Sequence, residues 1–340
     1  MRDFVRNLYF KIDKISLSRF DKLPFRALAV ILTLRELRNE AGQVASGRAK
    51  SLTGDRDSQI TMLRRDIHRI EKGLIMRPRR LPFGKAYVHT AVESFNQLKD
   101  SDVLPEADSL WATDVFSEFF NVTKENTDEW VVKARMDFLR RNQINDLPQK
   151  IPYFRNETLI STIDPVQFAI LARQRRSVRW FTEDPIDIDV IDRALEVAAE
   201  SPSACNRQNI RFELFHGTDL TRPVLDCAGG TRGFSHQVPT VAVVIGRLGG
   251  YRHAFDRHAI YIDGGLMSMS FLLALETAGL SACCINWPDV SSRNRAIKKF
   301  VHLDSDESVV MLVAIGHADQ SGHIPASVKR SLLSFRKHNV

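Results

Sequence analysis

Apolar residues recur every three to four positions along most of the first 147 residues, the spacing of helices that bury one face. The pattern predicts helices over 25–37, 58–74, 86–98 and 130–141. Pro78, Pro82 and Gly84 interrupt it and predict a loop between the second and third of these. Residues 147–156, with Pro148 and Pro152, read as a linker. After Asp164-Pro165 the texture changes. Helical spacing covers 166–174 and 185–199, the latter with Ile188, Ile191, Leu195, Val197 and Ala198 as its apolar face. Residues 211–215 predict a short strand, and 240–245, apolar or β-branched throughout, a buried one. Two more core strands are expected at 282–285 and 309–315. Residues 263–278 predict an apolar helix buried on most sides, ended by Gly279 as a left-handed cap residue. Interleaved helices and strands imply an α+β fold, a mixed sheet covered by helices, behind a mainly helical amino-terminal segment. The expected division is 1–150 for that segment and 166–335 for the domain that follows.

Composition narrows the class. The chain has 340 residues, 44% hydrophobic and 26% charged, which is enough apolar material to fold without disulfides. Cys205, Cys227, Cys283 and Cys284 form no CxxC pair and no zinc-ligand spacing, so they read as reduced thiols and no metal site is expected. The first 25 residues are charged throughout and lack a secretory pattern, and a cytoplasmic location follows as an expectation. The apolar run 27–34 is too short to span a membrane and is flanked by Arg26 and Arg35, so no transmembrane segment is expected. The net charge is +7, with concentrations at 77–80 and 173–179. No helix-turn-helix or aromatic stacking platform accompanies it, so nucleic acid is not an expected partner. A basic surface with an anion site for a small phosphate ligand accounts for the charge.

Three segments carry candidate chemistry. Arg175-Arg176-Ser177-Val178-Arg179 places three guanidiniums and a hydroxyl just after a helix, a set suited to phosphate. Ser201-Pro202-Ser203-Ala204-Cys205-Asn206-Arg207-Gln208 follows the next helix, and its hydroxyls and carboxamides suit the edge of a flat heteroaromatic ring. Near the end come Gly279-Leu280-Ser281-Ala282-Cys283-Cys284-Ile285-Asn286-Trp287, then Val313-Ala314-Ile315-Gly316, then Lys329-Arg330. Taken singly, each is also an ordinary helix end, loop or core strand.

In this order, over 168–330, these motifs resemble the nitroreductase family. The resemblance implies FMN as cofactor, its phosphate and ribityl chain held by Arg175, Ser177 and Arg179 with Arg176 alongside. It places Pro202, Ser203, Asn206 and Gln208 against the isoalloxazine ring. It brings Lys329 or Arg330 to the phosphate and offers flavin N5 a backbone N–H from the loop that begins at Asn286 and Trp287. It also implies a homodimer with FMN at the interface, the Ser203 loop and the Arg175 run belonging to different subunits of one site. NADH or NADPH would be the donor and a small molecule the acceptor. No G-x-G-x-x-G fingerprint is present, so the nicotinamide would dock transiently rather than bind a Rossmann unit. No catalytic side chain is named, because the flavin carries the chemistry. Met267-Ser268-Met269-Ser270 departs from the family where an amide side chain is usual. The helical segment before 168 is additional; His68, Glu71 and the run Arg79-Arg80-Leu81-Pro82-Phe83-Gly84 resemble an extension of nitroreductase-like proteins from exopolysaccharide gene clusters. His68 and Glu71 would at least share a helix face. The alternative is a fold that has lost turnover and serves as a scaffold through this extension.

Overall fold

The computed structural model describes residues 11–20, 22–157 and 160–339. The amino-terminal pattern becomes α1 (Leu23–Glu36), α2 (Arg38–Thr53), α3 (Arg56–Leu74), α4 (Val88–Asp100), α5 (Glu106–Val122) and α6 (Glu129–Leu139). The predicted helices lie within a few residues of their expected bounds; α2 and α5 are additions. Helix α5 hides its period because polar Asp114 and Ser117 are buried alongside Val115, Phe116, Phe119 and Phe120. Helix α2 is poor in apolar residues and rich in small ones. Gly47 explains it: a Cβ there would lie 2.6 Å from Leu248 Cβ, so the glycine lets the helix touch the carboxy-terminal half. Asp55 caps α3 by accepting a hydrogen bond from Ser58 N at 2.8 Å.

Helices α3 to α6 enclose a core of Ile67, Ile70, Phe95, Phe116, Phe120 and Phe138. The loop after α3 folds back so that Phe83 meets Phe119 edge to face, 5.2 Å between centroids. The start of the linker is held down as well. Asp114 accepts from Gln149 N at 3.0 Å, Lys150 N at 2.9 Å and Asn145 Nδ2 at 2.7 Å.

The carboxy-terminal half runs α7 (Pro165–Gln174), α8 (Ile188–Ala199), β1 (Ile210–His216), α9 (Thr218–Cys227), β2 (Thr240–Arg247), α10 (Ala259–Thr277), β3 (Ser281–Asn286), α11 (Ser291–Ile297) and β4 (Glu307–Gly316). The strands pair antiparallel in the order β1-β2-β4-β3. A parallel bridge between Ser177 and Ala282 adds the basic run to the β3 edge. Alternation along β2 serves both faces. Val241, Val243 and Ile245 pack with α9 and α11, while Ala242 and Val244 pack with Ile191 of α8 and Phe271 and Leu275 of α10.

Two features depart from the sequence expectation. Helices α9 and α11 were not anticipated: α9 contains Pro223 and α11 has seven residues. Helix α10 is not buried on most sides of this chain. Its inner face carries Ile260, Phe271 and Leu275, but Ile262, Leu266 and Met269 are exposed. The helix is apolar all round, and the single chain covers only one side of it. With the turn before it, 254–277 is long and apolar enough to cross a membrane, and part of it is buried against the sheet.

The two halves are locked together. Lys50 of α2 pairs with Asp304 at 3.0 Å and with buried Asp306. Arg247, at the end of β2, pairs with Asp55 at 2.9 Å and with Asp57. Gly250 N donates to Ser51 Oγ at 2.8 Å.

Candidate functional site

The basic run leaves α7 in extended conformation at Arg175 and lies along β3, Val178 N donating to Ala282 O at 3.3 Å. Extension alternates its side chains, so Arg175, Ser177 and Arg179 share one side. Their common neighbour is the Cys283 thiol. Burial pushes this thiol up, while Arg179, Ser177 and Arg175 each pull it back. Val178 turns the other way into the core, and Arg176 donates to Pro325 O at 2.7 Å and to Ala326 O. That contact ties the carboxy-terminal tail to the run. Lys329 and Arg330 follow three and four residues after Ala326, exposed on coil.

Arg175 Nε is buried and has no hydrogen-bond partner. A buried donor left unmade costs about 1–3 kcal/mol, which an oxyanion would recover. The donor set of two guanidiniums and a hydroxyl around this orphan N–H fits a phosphate.

The second segment has the opposite construction. After α8, Ser201 Oγ donates to Ser270 Oγ at 2.7 Å, and the chain turns through 204–206. Cys205, Asn206 and Gln208 have φ of 56°, 53° and 55°, left-handed values that non-glycine residues avoid. The surroundings over-determine the turn. Gln208 N donates to Ser203 Oγ at 3.0 Å, and Ala204 N to the Asp263 carboxylate at 3.0 and 3.2 Å. Arg207 Nη1 donates to Ala204 O at 2.9 Å, its guanidinium 4.5 Å from the centroid of the buried Tyr251 ring. Gln208 Nε2 donates to Asn206 Oδ1 at 3.0 Å. Burial raises the Asp263 carboxyl above its ordinary pKa, against the Ala204 hydrogen bond and the Arg207 charge.

Sheet register places the two segments far apart. The Ser203 loop leads into Ile210 at one end of β1, an edge strand, and the basic run meets Ala282 on the opposite edge strand, level with His216 at the other end. Three strand spacings make about 14 Å, and six residues of strand a further ~20 Å along it. One chain does not bring Arg175, Ser177 and Arg179 to Ser203, Asn206 and Gln208.

Asn286 ends β3, and Trp287 sends its indole into the core, Nε1 donating to Asn294 Oδ1 at 2.9 Å. What Trp287 can offer a ligand is therefore its backbone.

Sequence reasoning missed Asp263 and Arg64 as neighbours of the loop. Arg64 Nε, from α3, donates to Asn206 O at 3.1 Å. Beside it a cavity of about 620 Å³ is lined by Thr61, Arg64 and Asp108 of the extension and by Arg207, Gln208 and Asn209. The position of Asp263 in the apolar first half of α10, away from the carboxy-terminal end that carries Glu276, was the one available signal for it; nothing local marks Arg64.

Residues 172–228 and 224–317 match the model of the Nitroreductase family. This part of the chain is similar to the nitroreductase family. Among solved structures, a nitroreductase-like protein from Streptococcus mutans is 18% identical, with a TM-score of 0.45 over 52% of this chain and 99% of that one. An FMN-dependent nitroreductase from Clostridium difficile is also 18% identical, with a TM-score of 0.43 over 50% and 98%. No curated protein matches the sequence. The nitroreductase match begins at the end of α7, and the helices α1 to α6 lie before it.

Proposed function

We propose that the chain is an FMN-dependent oxidoreductase that draws on NADH or NADPH and reduces a small-molecule acceptor by two electrons in a ping-pong cycle. The observation that carries the reading is the buried, unpaired Arg175 Nε within the Arg175–Ser177–Arg179 set, in the part of the chain that matches the nitroreductase family. Bound FMN supplies hydride acceptance from the nicotinamide and delivery to the acceptor. The protein supplies the rest. Arg175, Ser177 and Arg179 grip the phosphate, with Arg176 anchoring the tail that carries Lys329 and Arg330. Pro202, Ser203, Asn206 and Gln208 face the ring, and Asn286 and Trp287 offer backbone N–H groups to its N5 edge. Positive charge near the ring would stabilise negative charge on the reduced cofactor.

The site is completed in a homodimer, the run of one subunit meeting the loop of the other. Two facts support this: the segments sit at opposite edges of the sheet, and Ile262, Leu266 and Met269 of α10 leave an apolar stripe bare. The division at 1–150 and 166–335, a cytoplasmic location and a role linked to polysaccharide biosynthesis belong to the same reading. The last of these rests on the 68–84 resemblance alone.

The test is the visible spectrum of the freshly purified protein, before and after NADH or NADPH is added under nitrogen. Oxidised-flavin bands that bleach with either donor are expected. A colourless protein that takes up no added FMN overturns the reading and favours the scaffold.

A further inference from the structure

The amino-terminal extension contains a chain of contacts that ends on the Ser203–Gln208 loop. His68 Nδ1 lies 3.2 Å from Glu71 Oε2, and Trp111 Nε1 donates to Glu71 Oε1 at 2.9 Å. The Arg64 guanidinium sits 5.2 Å from the Trp111 ring centroid and pairs with Asp108. Its remaining Nε–H donates to Asn206 O at 3.1 Å. Both members of the Arg64–Asp108 pair are largely shielded, with side-chain exposures of 15% and 13%. An aromatic face and a carboxylate thus fix the direction of one N–H. That N–H meets the carbonyl of a residue at φ 53°, whose own side chain accepts from Gln208 Nε2.

We infer that Arg64 is a positioning residue: through Asn206 it sets the placement of Asn206 and Gln208, so the extension braces the ring side of the flavin site. The consequence for flavin rests on the function proposed above; the brace itself does not. His68 and Glu71, singled out by sequence, are the far end of the same device. They hold Trp111, Trp111 orients Arg64, and Arg64 supplies the donor that meets the Asn206 carbonyl. Lysine does not replace arginine here, because its single nitrogen would have to reach both Asp108 and the Asn206 carbonyl, which two separate guanidinium nitrogens meet in the wild type.

The test compares wild type, Arg64→Lys and Arg64→Met as full chains supplied with FMN. Arg64→Lys keeps the charge opposite Asp108 and is the variant to rely on if Arg64→Met does not fold. Two readouts are needed: amide hydrogen exchange over 203–208, and the midpoint potential of the bound flavin. Exchange at Asn206 and Gln208 should quicken by about tenfold or more in Arg64→Lys, with the β2 amides unchanged and the potential displaced. Unchanged exchange over 203–208 overturns the brace. Faster exchange with an unaltered potential overturns its role toward flavin. Wild type that binds no FMN yet shows the exchange effect supports the brace and overturns the flavin reading instead.

Discussion

The two halves of the candidate site are built on opposite plans. The Arg175–Arg179 run has ordinary extended backbone, borrows its placement from β3, and keeps donor capacity in hand, including a buried N–H with no partner. The Ser203–Gln208 loop has three left-handed residues and commits most of its hydrogen bonds to itself, to Asp263 and to Arg64. Among its buried side-chain atoms only the Arg207 Nε–H is left over, and it lies against the Tyr251 ring rather than beside a cluster of donors. The contrast separates two tasks. A phosphate is gripped by side chains that arrive with unmet hydrogen bonds, whereas a flat ring needs a surface whose shape is set before it binds. The strain of the loop persists because three elements, α3, α10 and the loop itself, agree on one conformation.

The largest expected effect falls on the run. Arg175→Ala combined with Arg179→Ala should lower FMN affinity roughly a hundred- to ten-thousand-fold, since each charged hydrogen-bonded contact is worth about 1.5–3 kcal/mol. Flavin fluorescence titration measures it, and unchanged affinity would break the comparison by showing that the run is only a solvated helix end. A smaller effect, on stability rather than affinity, belongs to the loop. Burial raises the Asp263 pKa, so the folded state holds a proton that the unfolded state has released. Its favourable contribution is complete below the ordinary carboxylate pKa and is lost as pH rises through the raised value. Asp263→Asn keeps an acceptor for Ala204 N and removes the titration. Urea unfolding should therefore show variant and wild type diverging from pH 4 toward neutrality in the variant's favour, by no more than about 1–3 kcal/mol. Parallel curves would mean that Arg207, beside the carboxylate, cancels its burial.

Legibility in the sequence followed the same divide. The strands β1 to β4 and helices α3, α8 and α10 could be read because their periods are set by one buried face or by continuous β-branched runs. Helices α2, α5, α9 and α11 could not. Helix α5 buries polar Asp114 and Ser117 among its apolar positions, α2 packs through Gly47, α9 contains Pro223, and α11 is short. The apolar character of α10 was visible, but not that one of its faces lies bare in a single chain. At the candidate site, residue type singled out the run, since guanidinium and hydroxyl spacing is itself a chemical signal. It could not identify what holds the loop, because Arg64 and Asn206 are 142 positions apart and their contact depends on how α3 lies against the 204–206 turn. Trp287 makes the same point at short range, its indole going to Asn294 in the core while its backbone stays at the strand end.

The most direct test of a site shared between subunits is complementation. One parent carries Arg175→Ala with Arg179→Ala; the other carries Asn206→Ala with Gln208→Ala. Each is expected to bind FMN poorly by itself. A mixed dimer, isolated through two different affinity tags, pairs an intact run with an intact loop at one of its two sites. The prediction is one FMN per two chains in the mixed dimer, read from absorbance against protein concentration. A mixed dimer as poor in flavin as both parents would contradict the account.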